Sequence, residues 1–513
     1  MSIFTIIFLF VFISLFCVIL FFNTNDLIHF KMIRSFYIGA SVLGTLLLSF
    51  YLYDKNKNKF TWIKRNLKFK LVLIGLIVFI MQLILAKSIY FQSGWDVRAI
   101  INNAEFIVSN PEAFEYNYFM MYPNNIFLLL VFSKVYKLAE MLEFIDYRFL
   151  LVIINIVMVD LAIIMTILIS KRIFNKKSVI VASSLFGLLF AFSPWIVVPY
   201  SDTLSMVFPI AILYIYIVQK GINNRWYKFS LYALMGCLTA VGSQIKPTVM
   251  IVVIAIFILE FINILRRKTK LISFISYFLV VAVGLIATKG LYNKSIDNLT
   301  INGHNLSERE LVEVPFTHFA MMGMQSVYVE NRGTIYGAYD PEDVTFTESF
   351  PTKEEKIEAN IGEIKNRLNN FGVKGYLEFL SKKACWFLSD GTFYYGGEGN
   401  FMVSEPYTKG KVAEKLQNIF LHTGDKFLSL ANVFEGIWIL ILFLIIYPIF
   451  EKKRFSNNEE IFIIRLTITG IVLFLLLFEA RSRYLINHIP FFILLATYGF
   501  NSVYNRFLLE LEN

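Results

Sequence analysis

The chain has 513 residues, 57% of them hydrophobic and 17% aromatic, well above the roughly 45–50% apolar share of soluble domains, so a water-soluble surface cannot be built from it. Mean hydropathy is +0.61. The formal charge of +10 falls mainly in short connections between apolar runs, a pattern of cytoplasmic loops that excludes a nucleic-acid patch as its origin.

A bilayer core takes about 20 apolar residues of helix, and on that measure twelve spans follow one another. They cover residues 3–22, 35–53, 71–90, 149–170, 179–195, 202–219, 229–244, 248–265, 271–291, 434–450, 461–479 and 484–503. The first run has no basic n-region and no small-residue cleavage site, so it reads as a retained helix. Segment 55–70 carries seven basic residues next to Asp54 and is expected in the cytoplasm. The basic residues Lys171, Arg172, Lys176 and Lys177, and those of 220–228, 266–268 and 452–454, fall on the same side. Residues 126–138 (IFLLLVFSKVYKL) are apolar but too short to cross. With Lys134 and Lys137 at headgroup level, they read as an interfacial helix on the outer surface.

The connection from about 294 to 432 is the hydrophilic exception, with exposed helix expected over 352–370. The fold expected is therefore an all-α polytopic membrane protein with cytoplasmic termini. Residues 1–293 supply spans one to nine and an outer loop at 91–148. An extracytoplasmic insert of mixed α content occupies 294–433, and 434–513 supplies the last three spans. Cys17, Cys237 and Cys385 are far apart and imply neither a disulfide framework nor a metal cluster. Walker, GxGxxG, HExxH and GxSxG patterns are absent from the sequence, which removes support for ATP-driven transport, dinucleotide redox and zinc proteolysis.

On this topology the outer connections are SGWDVR (93–98), SPWIVVPYSD (193–202), SQIKPT (243–248) and EARSRY (479–484). Lys246, Arg481 and Arg483 sit in tight turns on the side where cations are scarce. Phosphate is one reason for them, since Arg grips its oxygens bidentately and Lys acts as a point charge; snorkelling to headgroups is the other. The same face carries Asp96, Asp202 and Glu479, and acids at a membrane border are often functional. Asp96 follows Gly94 and Trp95, which sets a carboxylate beside an aromatic suited to a sugar; its plainer reading is a helix N-cap, as is that of Asp202. Mid-span Asp160 is expected in a structural hydrogen bond with Asn155 or a basic partner. In 382–401, Trp386, Phe387, Phe393, Tyr394 and Tyr395 gather around Asp390 and Glu398, as either a sugar-binding patch or a small core.

The GWD loop, the following YPNNIFLLL and the many spans resemble the GT-C glycosyltransferases. The closer likeness is to the protein mannosyltransferase and aminoarabinose transferase branch. The resemblance covers mainly 71–293 and EARSRY. It departs in lacking an Asp-Glu pair, since Trp95 and Val97 flank Asp96, and in placing the large insert between spans. What it implies is sugar transfer from a polyprenyl-phosphate donor to a cell-envelope glycan, teichoic acid or lipid at the outer face of the plasma membrane. Asp96 would be the general base; Lys246, Arg481 and Arg483 would hold donor phosphate. Trp95, Tyr200, Asp202, Glu479, Trp386, Asp390 and Glu398 would support the site or bind sugar. The resemblance fixes no cofactor and leaves a divalent metal open, and oligomeric state is not indicated. The alternatives are a polymerase or ligase using polyprenyl-diphosphate oligosaccharide, and a lipid-linked sugar transporter.

Overall fold

The computed structural model describes residues 2–21, 32–56, 67–144, 146–174, 177–329, 333–399, 401–450 and 458–512. Lys176, most of the basic segment 55–70 and the basic residues of 452–454 lie outside the described residues.

Long apolar runs become helices wherever nothing polar interrupts them, and polar residues mark where they start. In chain order the first are α1 (Ser2–Phe21), α2 (Met32–Lys55), α3 (Leu67–Ile89), α4 (Trp95–Ser109), α5 (Tyr116–Met121) and α6 (Ile126–Met141). Next come α7 (Tyr147–Ile173), α8 (Ser178–Phe186), α9 (Ser201–Leu204), α10 (Val207–Gln219), α11 (Arg225–Ile245), α12 (Met250–Leu265) and α13 (Leu271–Asp297). Asp146 caps α7 through the Phe149 amide at 3.1 Å, and Asn224 caps α11 through that of Tyr227 at 3.1 Å. Each cap satisfies an amide that the first helical turn leaves without a partner.

Among the described residues, nine helices are long and apolar enough to cross a membrane: 3–20, 33–55, 72–89, 147–173, 201–219, 247–265, 271–297, 427–450 and 459–477. The other three expected runs are also helical. The run at 179–195 is the short apolar helix Ser178–Ala191, 229–244 lies in α11, and 484–503 is largely the final helix, Ile489–Glu512. That final helix has Phe491 through Ala496 fully buried. Because its neighbours shield it, it can carry Asn501 and Ser502 without presenting them to lipid. Around it, Val72, Leu73 and Ile74 of α3 and Ile286 and Leu291 of α13 point outward, as a lipid-facing surface requires. Where helices cross most closely they do so on glycine. A methyl group at Gly236 of α11 would overlap the Val281 carbonyl of α13, and one at Gly284 the Ala233 carbonyl, the small-residue contact that lets membrane helices approach.

The insert holds two antiparallel hairpins, β1 (Thr300–Ile301) with β2 (His304–Asn305) and β3 (Ser326–Val329) with β4 (Gly333–Tyr336). Helices α14 (Arg309–Val312), α15 (Phe316–Met322), α16 (Pro341–Glu348) and α17 (Lys353–Leu388) surround them. A Thr352–Glu355 capping box starts α17, and Gly372, at φ 57°, kinks it. The remaining helices are α18 (Lys411–Phe420), α19 (Phe427–Ile446), α20 (Glu459–Leu477) and α21 (Ile489–Glu512).

From the end of α17 the chain enters the helix bundle. Buried Lys383 donates to the carbonyls of Gly323 (2.6 Å), Leu476 (3.1 Å) and Phe478 (2.6 Å). One ammonium thereby ties the insert to the end of α20, just before Glu479. Phe393 lies edge-on to Trp438 at 5.2 Å and to Phe190 at 6.2 Å, and Trp195 Nε1 donates to the Thr392 carbonyl at 2.9 Å.

Candidate active site

Five chain segments that are distant in sequence meet at the ends of these helices. The first is the turn into α4. Residues 90–94 run antiparallel to 401–407, with Gly94 N donating to Phe401 O at 2.8 Å and Val403 N to Gln92 O at 2.9 Å. Gly94 has no room for a side chain, since a methyl group would overlap the Phe401 ring. Trp95 takes the left-handed conformation at φ 46°, and its Nε1 donates to the Glu398 carbonyl at 3.1 Å.

Asp96 then falls in the first turn of α4 but does not cap it. Its two oxygens accept from Tyr118 at 2.7 Å and Tyr200 at 3.1 Å, and Asn125 donates to the Tyr118 hydroxyl at 2.8 Å. Burial foremost, with the Asp96 charge beside them, raises both tyrosines well above their ordinary value. They stay protonated and remain donors, so the carboxylate is held in one orientation by two hydroxyls.

The second centre is ionic. Asp202, only 1% exposed in α9, pairs through one oxygen with Lys246 and through the other with Arg483 Nη1 at 2.6 Å. Arg483 Nε and Arg481 Nη1 each pair with an oxygen of Glu398. Arg481 Nε lies 3.4 Å from Glu479, which also accepts from Tyr484 at 3.0 Å. Three cations thus share three carboxylates. The Arg483 guanidinium is packed among aromatic faces, 4.5 Å from the Trp95 centroid, 4.7 Å from Tyr484 and 5.5 Å from Tyr200. Such contacts are worth about 0.5–2 kcal/mol each. Burial, the largest single effect, lowers both guanidinia, but Glu398 together with Glu479 at Arg481 and with Asp202 at Arg483, aided by neighbouring tyrosines, more than offsets it, and both stand above their ordinary value. Lys246 goes the other way: burial, with Arg483 adding to it against Asp202, lowers its ammonium.

The geometry sorts the residues expected from sequence. Asp96, Trp95, Tyr200, Asp202, Lys246, Glu398, Glu479, Arg481 and Arg483 form one connected cluster, from the turns at 93–98, 200–202, 246, 398 and 479–483. Asp202, like Asp96, spends its carboxylate on partners across the site and not on a helix cap. Asp390 and Trp386 sit one layer behind. Asp390 accepts from Thr392 N (2.8 Å), Thr392 Oγ1 (2.6 Å) and Tyr394 N (2.7 Å), fixing the turn that carries Glu398. Trp386 packs edge-on to Tyr394 at 5.7 Å, and that ring in turn lies 5.7 Å from Arg481. Asp160 is held by Gln82 at 3.0 Å, while Asn155 donates to the Ile196 carbonyl at 2.9 Å.

Tyr118, Asn125 and Tyr484 were not singled out by sequence. Asn125 closes the YPNN motif and Tyr484 closes EARSRY, while Tyr118 lies just before YPNN. An open cavity of about 480 Å³ borders Tyr118 and is lined by Phe114, Glu115, Tyr116 and Asn117. Among the described residues no three His, Cys, Asp or Glu side chains converge as metal ligands.

The chain belongs to a family of conserved hypothetical integral membrane proteins, whose profile matches residues 1–504. No curated protein and no solved structure matches it. The nine apolar helices and the family agree: this is an integral membrane protein.

Proposed function

We propose that this member of the family is a glycosyltransferase that moves a sugar from a polyprenyl monophosphate to a hydroxyl of a cell-envelope glycan, teichoic acid or lipid. The observation that carries the reading is the junction of a carboxylate held by two hydroxyls with two adjacent guanidinia and an ammonium. In this reading the chain crosses twelve times and the cluster lies on the extracytoplasmic face, where the outer connections meet.

The chemistry needs two charge centres, and the cluster supplies both. Asp96 accepts the proton of the acceptor hydroxyl as its oxygen bonds to the anomeric carbon. The bond from that carbon to the phosphate oxygen breaks with its electron pair, inverting the centre, and Arg481 and Arg483 stabilise the negative charge that develops. Trp95 and Tyr200 stand between the two centres, their rings packed on each other and on Arg483. Tyr118 and Tyr200 fix the Asp96 carboxylate until an acceptor hydroxyl replaces one of them.

Purified protein in vesicles, supplied in turn with radiolabelled sugar on polyprenyl monophosphate and on polyprenyl diphosphate, tests the proposal. Label transferred from the monophosphate supports it. Transfer confined to diphosphate-linked oligosaccharide contradicts it and favours a polymerase or ligase. Movement of intact donor across the bilayer without transfer contradicts it in favour of a transporter.

A further inference from the structure

We propose that Glu398 is a built-in stand-in for the donor phosphate: its carboxylate fills the anion position between Arg481 and Arg483, and the phosphate group of an incoming lipid phosphate displaces it while Asp202 and Lys246 stay paired. The inference takes the identity of the anion from the glycosyltransferase reading and adds how the site is kept closed until that anion arrives.

Lys246, Arg481 and Arg483 are matched one for one by Asp202, Glu398 and Glu479. A phosphate approaching that balanced set meets no net positive charge, so it binds only if a carboxylate yields. Asp202 cannot yield cheaply: it is 1% exposed, sits in a helix, and leaves two buried cations behind. Glu479 makes only the 3.4 Å approach to Arg481 and is also held by Tyr484. When Glu398 leaves, Arg481 keeps Glu479 and Arg483 keeps Asp202. The Glu398 side chain is 18% exposed, the most of the three carboxylates, and it stands in the single π-helical turn YGGEG, residues Tyr395–Gly399.

Glu398 also contacts both guanidinia with separate oxygens. Two adjacent guanidinia gripped by two oxygens of one anion is the arrangement that recognises phosphate. With Glu398 withdrawn, three cations face two carboxylates, and the site gains one positive charge for the ligand. The Trp95 indole donates to the carbonyl of this same residue. Displacement is therefore felt in the loop that carries Asp96.

The test uses full-length protein in dodecyl maltoside, with dodecyl phosphate and inorganic phosphate as probes, comparing wild type with Glu398→Gln. Glutamine keeps the shape and the backbone carbonyl but removes the competing charge. We expect the variant to bind dodecyl phosphate at least about tenfold more tightly, a factor that corresponds to about 1.4 kcal/mol. If inorganic phosphate gains equally, the headgroup alone is recognised; if only dodecyl phosphate gains, the lipid-linked form is the ligand. Equal or weaker binding of both probes by Glu398→Gln overturns the inference, because Glu398 then only positions the arginines.

A second measurement needs no variant. Carbodiimide labelling of Glu398 in wild type, read by mass spectrometry, should rise severalfold when dodecyl phosphate is added, and unchanged or reduced labelling overturns the inference. Sugar transfer by the same preparations separates the two claims. Tighter phosphate binding without transfer from any donor leaves the stand-in intact and removes the glycosyltransferase reading. Transfer by wild type without the gain in Glu398→Gln removes the stand-in alone.

Discussion

Replacing Asp202 with Asn removes the carboxylate that two buried cations share. Arg483 keeps Glu398, but Lys246 is left with the Tyr484 ring, 4.5 Å from its Nζ, as its closest favourable contact. Removing one partner of a buried ion pair costs about 3–5 kcal/mol, because the orphaned charge stays out of water. The Asn oxygen can still accept one hydrogen bond, which puts Asp202→Asn at the low end, about 3 kcal/mol. Adding Lys246→Met removes the orphan, so the double variant should be more stable than the sum of the singles by about 1–3 kcal/mol. Cys385 supplies the reporter. It is 1% exposed, and burial pushes its thiol up to about 11, so it is silent until the fold opens. In a background with Cys17 and Cys237 replaced by Ala, thiol-reactive dye uptake during denaturing-detergent titration gives the unfolding free energy. A loss under about 0.5 kcal/mol, or strict additivity in the double variant, would refute the reasoning.

Lys383→Met should destabilise by several kcal/mol in the same titration, since each of its three carbonyl partners left without a donor costs about 1–3 kcal/mol; a change under 1 kcal/mol would show that the tie to α20 is dispensable. His318, 2% exposed with Nδ1 2.7 Å from Thr347 Oγ1, is lowered to about 4 by burial, with Asp343 opposing and Lys356 adding to the effect. The unfolded chain therefore binds a proton that the folded one does not between about pH 6.5 and 4. Stability is full above that window and falls as pH drops through it, by up to about 3 kcal/mol. His318→Gln should flatten that slope, and an unchanged slope removes His318 as its source. For orientation, single cysteines at Glu112 and Asn223, both exposed, are labelled in intact cells by an impermeant reagent. Glu112→Cys should react and Asn223→Cys should not, and the reverse inverts the topology.

Helix positions were legible in the sequence wherever a run is long and continuously apolar, whether it faces neighbours or lipid, as in 147–173 and 271–297. They were least legible in α21, whose shielding by neighbours permits polar residues that dilute the hydropathy signal. The cations were legible because Lys246, Arg481 and Arg483 break the charge rule. Which carboxylate each cation pairs with was not, because ion pairing across 44 residues from Asp202 to Lys246 and 281 from Asp202 to Arg483 leaves no periodic trace. Glu398 was noticed only as an acid near aromatics. Its contact with both guanidinia depends on how Asp390 folds the turn and on Phe393 and Tyr394 taking positive φ, which pairwise spacing does not reveal. Tyr118 went unassigned for the same reason: a tyrosine 22 residues from Asp96 becomes its donor only when α4 and α5 fold against each other.

The central claim stands or falls on Asp96. With Asp96→Asn inserted and folded like wild type, transfer from a polyprenyl-monophosphate sugar should drop by at least about 100-fold, the scale of a lost general base. Binding of dodecyl phosphate should meanwhile hold within about threefold. Transfer that persists at the wild-type rate would contradict the assignment of the base, and with it the reaction proposed for this site.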